Sequence, residues 1–217
     1  ITLVAASPST SAFTQNTITL TQATSSGVAA CSGTDYVGGN FTPANGEIIS
    51  GDHCNVGTFT VTSGFTVNIT AGTALRVFAT TANIAGTLDG VGKGSAGGLS
   101  CGTNGSGTGG GTGGTCNANV GAGGGGHGGA GGNSSTGKAG GVSYGSLTQP
   151  VTLGSGGGSG ATAVGGAGGG AVYLKVTGTL TLDGTINANG AAGAIDGANS
   201  SGSGGGAGGS VFIDTST

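Results

Sequence analysis

Glycine supplies 57 of the 217 residues, several-fold above the ~7% of ordinary proteins, and this constrains the fold more than any other feature. A glycine inside a helix costs roughly 0.5–1 kcal/mol relative to alanine. No stretch carries apolar residues at helical spacing among helix-forming neighbours. A helical fold is therefore excluded, and the chain must be ordered by strands, by crosslinks or by its bare backbone. Glycine dominates residues 97–170, in runs such as Gly121-Ala-Gly-Gly-Gly-Gly126 and Gly128-Gly-Ala-Gly-Gly132. Such runs read either as a flexible linker or as a packed layer of extended, polyglycine-II-like segments. Hydrophobic strands on both sides of the block, and a cysteine pair within it, favour the packed reading.

Outside the block the pattern is that of strands. Ile1-Thr-Leu-Val4, Asn16-Thr-Ile-Thr-Leu-Thr21, Gly57-Thr-Phe-Thr-Val-Thr62 and Phe65-Thr-Val-Asn-Ile-Thr70 alternate apolar and polar residues, the period-two signature of a half-buried strand. Ser63-Gly64 forms a turn between the last two. Residues 71–98 and 168–198 are two copies of one unit. Leu75-Arg-Val-Phe-Ala79 matches Val172-Tyr-Leu-Lys-Val176, and Gly86-Thr-Leu-Asp89 matches Gly184-Thr-Ile-Asn187. A third copy starts at Gly208-Gly-Ser-Val-Phe-Ile-Asp214, 39 residues after its counterpart (211 − 172), and has only one strand. The expected fold is all-β: a solenoid- or sandwich-like stack of strands with glycine-rich layers and essentially no helix. Two parts are expected. Residues 1–56 form an N-terminal β segment with a disulfide loop and candidate donor strands, and residues 57–217 form the glycine-rich repeat domain. Leu75, Val77, Val172 and Leu174 are expected to share one core.

The order of a glycine block, an aliphatic strand such as Ala171-Val-Tyr-Leu174, and Gly178-Thr-Leu-Thr-Leu-Asp-Gly-Thr-Ile-Asn-Ala-Asn-Gly190 resembles the glycine-rich repeat modules of large bacterial surface and secreted proteins. The resemblance covers about residues 57–217. It implies a β-solenoid-like stack with long glycine loops and extracellular display. The glycine layers are also similar to the polyglycine sandwich at the receptor-binding tip of some phage tail adhesins. The resemblance supplies no catalytic residues.

Cys31, Cys54, Cys101 and Cys116 are the four cysteines. None forms a short metal-type pair, and with two histidines in the chain zinc finds no ligand set. Pairing in sequence order, Cys31–Cys54 and Cys101–Cys116, closes the shortest loops and implies an oxidising compartment. The chain starts at Ile1 without a signal peptide, which is expected of an exported chain whose leader has been removed.

Charged residues are only 5% of the chain and the net charge is −3. Arg76, Lys93, Lys138 and Lys175 are scattered singly, so no basic groove exists for nucleic acid. No apolar run approaches the ~20 residues of a membrane span. Polysaccharide lyases and hydrolases need clustered carboxylates, whereas Asp89 aligns with Asn187 and Asp183 with Ala85. Asp52-His53-Cys54 places neighbouring side chains on opposite faces of an extended chain, and Cys54 is better assigned to a disulfide. His127, alone among glycines, reads as a space-filler or a surface residue. No calcium nonapeptide is intact, and no phosphate loop or other cofactor motif is present. Asn40, Asn68, Asn104, Asn133 and Asn199 head Asn-x-Ser/Thr sequons and are candidate glycosylation sites.

These features point to a non-enzymatic extracellular protein. The leading expectation is the subunit of a filament or fimbria-like polymer that binds copies of itself head to tail. Ile1, Leu3, Ile18 and Leu20 would supply a donated strand, and Val211 and Ile213 the incomplete repeat that receives it. An adhesin or receptor-binding module that meets glycans or a host surface is the first alternative. An ice-binding or polysaccharide-binding solenoid is the second, suggested by Thr-x-Thr at Thr58–Thr60, Thr60–Thr62 and Thr179–Thr181.

Overall fold

A computed structural model describes residues 2–3, 18–19, 30–116, 120–195 and 202–215. Among them there is no helix. Two parallel sheets carry the fold. The larger contains β3 (Thr34–Asp35), β5 (Gly51–Val61), β7 (Leu75–Ile84), β9 (Ala171–Val176) and β12 (Ser210–Asp214), in the order β12-β9-β7-β5-β3, with β10 (Leu180–Leu182) also pairing with β7. The smaller contains β4 (Ile48–Ile49), β6 (Thr66–Ile69), β8 (Thr87–Asp89) and β11 (Thr185–Asn187), in the order β11-β8-β6-β4. A separate antiparallel pair joins β1 (Thr2–Leu3) to β2 (Ile18–Thr19).

The chain visits the two sheets in turn. β5 leads to β6, β7 to β8, and β9 through β10 to β11, so each circuit lays a strand beside its predecessor in both sheets. Gly64, with φ +78°, turns the chain between β5 and β6. The two strands flanking that turn lie in different sheets, so no hairpin forms. The internal repeats of the sequence are the structural register. Leu75 pairs with Val172 and Val77 with Leu174, Thr87, Leu88 and Asp89 with Thr185, Ile186 and Asn187, and Val211 with Val172 at the offset of 39. Their inward side chains form one core with Phe59, Val61, Val67, Ile69, Ile84 and Leu88. Leu75, Val77, Val172 and Leu174 are all buried in it.

Residues 31–56 join this stack. β3 pairs with β5, β4 pairs with β6, and Phe41 bridges to Phe59. The division expected at residues 56 and 57 falls within β5.

The glycine segments inserted between β8 and β9, and between β11 and β12, are ordered by hydrogen bonds to one another. Segment 154–160 has six neighbours. Gly154 and Gly157 N–H donate to Gly169 and Gly166 O, both at 2.9 Å, and Gly156 and Ser159 N–H donate to Ser106 and Thr103 O, both at 2.9 Å. Gly158 N–H donates to Gly123 O at 3.0 Å. In the reverse direction, Ser95 and Gly98 N–H donate to Gly154 and Gly157 O, Gly111 and Gly114 to Gly156 and Ser159 O, and Ala207 and Gly204 to Ser155 and Gly158 O. Five of the six neighbours are met again three residues further on; to Gly123's segment one bond runs. A strand in a sheet, by contrast, bonds to two neighbours. The close approach excludes side chains. A Cβ on Gly168 would sit 2.0 Å from Gly154 O, and one on Gly156 would sit 2.1 Å from Ala96 O.

Candidate functional site

Sheet edges are the first candidate. β12 pairs with β9 from Ser210↔Ala171 to Asp214↔Lys175. Among the described residues no strand adds to its far side or to β11, and the opposite edges are β3 and β4. At this end Val211 and Leu182 are 39% and 44% exposed, while Ile213 is half-buried against the core. Phe212 stacks on Tyr173, ring centroids 5.2 Å apart, and Phe78 meets Tyr173 edge-on at 5.5 Å. Lys175 Nζ lies 3.8 Å from Asp214 Oδ2, which also accepts from Tyr173 Oη at 3.5 Å. Burial, then the Asp214 charge, raises the Tyr173 phenol above its ordinary value, opposed by Arg76. Of the residues expected to donate, Leu3 pairs with Ile18 across β1 and β2, while Ile1 and Leu20 lie outside the described residues.

Both expected disulfides are present, Cys31–Cys54 and Cys101–Cys116. The first ties the chain before β3 to the first half of β5, and the second closes the loop of residues 102–115. The sequons acquire structural roles. Asn40, Asn104 and Asn133 are exposed, and their Oδ1 atoms accept the N–H groups of Thr58 (3.0 Å), Gly113 (2.9 Å) and Gly140 (2.8 Å). Asn68 is half-buried on β6, and Asn199 lies outside the described residues.

Two histidine clusters bear on chemistry. His53 is buried at the end of the core, its ring stacked on Phe41 at 4.5 Å and its Nδ1 3.0 Å from Tyr36 Oη. Burial lowers its pKa, against the Ser50 backbone and the Asp52 and Glu47 charges, which raise it. Asp52 turns instead to Arg76, at 3.2 Å, and accepts Ser32 N–H at 3.0 Å. With Cys54 in a disulfide, the Asp52-His53-Cys54 run assembles no nucleophile and base.

His127 is not a surface residue. It is buried, with Nε2 2.8 Å from Thr152 Oγ1 and its ring edge-on to Tyr144 at 4.9 Å. Burial lowers its pKa too, opposed by the backbone of Gly208 and Gly209. Beside it, fully buried Ser155 donates to Tyr144 Oη at 2.8 Å and accepts Gly109 N–H at 2.9 Å. Ser159, also fully buried, accepts Thr103 N–H at 2.9 Å and donates to Ser100 O at 2.9 Å. These serines staple glycine segments by bonding their hydroxyls to the backbone of neighbouring segments. Their only mark in the sequence is their place inside Gly154-Ser-Gly-Gly-Gly-Ser159.

Among the described residues no three His, Cys, Asp or Glu side chains converge as metal ligands. Among the same residues no helix is long and apolar enough to cross a membrane. Compared with protein families, with curated proteins and with solved structures, the chain finds no match.

Proposed function

We propose that this protein is a structural subunit of an extracellular filament or fimbria-like polymer, a β-solenoid with a polyglycine-II-like array, assembled head to tail by strand completion. The observation that carries the reading is the pair of unlike sheet ends. All strands in both sheets run parallel, so the β11–β12 end and the β3–β4 end are different surfaces, and among the described residues no further strand pairs with either. Open edges of this kind attract further strands unless blocked. A contact between unlike ends is heterologous and propagates as a helical filament unless it closes into a ring. The alternating segments 1–4 and 16–21 are suited to add a strand to such an edge. The recurrence of bonding partners at every third residue supports the polyglycine-II reading, since that helix has three residues per turn and no internal hydrogen bonds. The two disulfides fit an oxidising, extracellular setting.

Negative-stain microscopy of the full chain and of a form lacking residues 1–21 tests the proposal. Filaments from the full chain and discrete particles from the truncated form are expected. Indistinguishable filaments from both would remove the strand-donation mechanism, and discrete particles from the full chain would remove the polymer.

One observation favours the adhesin reading. Leu99, Val164 and Ile195, exposed by 77%, 47% and 83%, sit on loops at one end of the glycine array. Gly165 N–H donates to Gly98 O and Ala194 N–H to Val164 O, which brings these loops together. Such an apolar loop cluster suits recognition of another surface. Particles that bind cells or glycans through these loops, without polymerising, would favour this reading.

A further inference from the structure

The outward side of one part of the larger sheet carries two ranks of hydroxyl and amide side chains. Phe59, Ala82 and Leu180 point into the core, so their strand neighbours point outward. Thr58 pairs with Thr81, and Thr60 with Asn83. Thr181 pairs in turn with Asn83, and Ala82 N–H donates to Thr179 O at 2.9 Å, which sets Thr179 beside Thr81. The Phe41–Phe59 bridge brings Asn40 beside Thr58 and Thr42 beside Thr60. One rank is therefore Thr58, Thr81 and Thr179, with Asn40 at its edge turned to Thr58 N–H through Oδ1. The second is Thr42, Thr60, Asn83 and Thr181. The register lines up the Thr-x-Thr pairs of the sequence, three levels in the first rank and four in the second.

This surface has unusual chemistry for a protein face. It contains no charged residue and no aromatic one. Asn83, Thr179, Thr181, Asn40 and Thr42 are exposed, and Thr58, Thr60 and Thr81 half-exposed. No group among the described residues takes the hydroxyls of Thr58, Thr60, Thr81, Thr179 or Thr181 in a hydrogen bond, whereas Thr103 and Thr152 in the glycine array are used. Threonine is restricted at χ1, so the ranks are held still as well as in line.

Strand spacing sets the distance between levels at about 4.7–4.9 Å. Water oxygens joined by hydrogen bonds of about 2.75 Å at tetrahedral angles place next-nearest oxygens ~4.5 Å apart. The ranks thus approach the repeat of a tetrahedral water lattice. A soluble glycan would ordinarily be met by aromatic stacking and charged hydrogen bonds, which this face lacks.

We infer that this face binds ice, with the hydroxyls of the two ranks taking places in an ordered water layer and the threonine methyl groups resting between them. The inference does not depend on polymerisation, although stacked copies would lengthen the ranks.

The test is incorporation of the purified full chain into a slowly grown ice hemisphere, together with inhibition of ice recrystallisation. The wild type is expected to enter the ice and to keep crystals small. Thr81→Tyr, at the centre of the first rank, is expected to fall to the level of an inert control protein. Thr87→Tyr, on the outward side of the smaller sheet, is expected to behave as wild type and controls for bulk. Circular dichroism and melting temperature check folding; if Thr81→Tyr fails to fold, Thr179→Lys at the exposed residue just before β10 replaces it. Exclusion of the wild type from ice would overturn the inference. So would full activity in the folded rank variant, or retention on crystalline cellulose or chitin by a protein that ice excludes.

Discussion

The strand stack and the glycine array are ordered by opposite means. In the stack, order comes from side chains. Leu75, Val77, Val172, Leu174, Ile84 and Leu88 fill one core, and the ladder follows where they pack. In the array, order comes from the absence of side chains. Segment 154–160 is surrounded by six others at distances that leave no room for a Cβ at Gly156 or Gly168. The stack holds itself by removing apolar surface from water. The array buries little apolar surface and satisfies its backbone groups against one another. The difference teaches that a chain poor in hydrophobic residues can still be ordered, provided each amide and carbonyl finds a partner. It also means that the two regions should fail to different substitutions.

The largest effect is expected from the stack. Leu174 is fully buried between Val77 and Ile213 in the ladder, so Leu174→Ala should cost about 2–5 kcal/mol of unfolding free energy, read by denaturant titration. A loss below ~1 kcal/mol would mean that the core is not the principal support.

The next effect separates the array from a linker. Gly168→Ala places a methyl 2.0 Å from Gly154 O, a backbone atom that moves only with its segment. A destabilisation of about 1–3 kcal/mol is expected, the range for overpacking a dense interior. Not every glycine in the array is equally strict. A Cβ on Gly124 would find its nearest atom, Gly132 N, at 3.5 Å, which is ordinary contact. Gly124→Ala should therefore lie within about 0.5 kcal/mol of wild type. Equal behaviour of the two alanine variants in thermal melts would count against close backbone packing.

The same contrast explains what could be read from the sequence. The stack was legible where side chains alternate. Val172 and Val211, and Gly86–Asp89 with Gly184–Asn187, were aligned as repeats, and they are the ladder partners. The first half of β5 was not, because Asp52-His53-Cys54-Asn55 lacks alternation and the register shifts between His53 and Val56. The stretch between Cys31 and Cys54 reads as a disulfide loop, whereas Tyr36 and Phe41 turn inward and close the end of the core with His53. The path of the glycine segments left no trace, since a residue without a side chain carries no sign of its neighbour. Only the polar staples could have betrayed it: Ser155 and Ser159 are isolated polar residues in a glycine run, and both are fully buried. The threonine ranks needed both kinds of information, the Thr-x-Thr pattern and the register that puts Thr42 and Asn83 in line with it.

The smallest expected effect concerns pH, and it sharpens the comparison because one buried histidine serves each region. His53 closes the core and His127 braces the array, and burial lowers both pKa values. A histidine whose folded value lies below its unfolded value of about 6.5 binds fewer protons when folded. Stability is then present in full above about pH 6.5 and declines as the pH falls below it. Thermal melts between pH 7.5 and 5 should show a falling midpoint. His53→Phe keeps the stack on Phe41 and removes the titration, at the cost of the bond to Tyr36. Its midpoint should depend less on pH in this window, even if the variant is less stable throughout. Replacing Thr152 by valine leaves His53 untouched and deprives His127 of its 2.8 Å partner, so that variant should keep the His53 share of the pH dependence. A wild-type midpoint that is flat from pH 7.5 to 5 would show that neither ring is confined as neutral imidazole. An unchanged slope in His53→Phe would assign the whole effect to His127 and the glycine array.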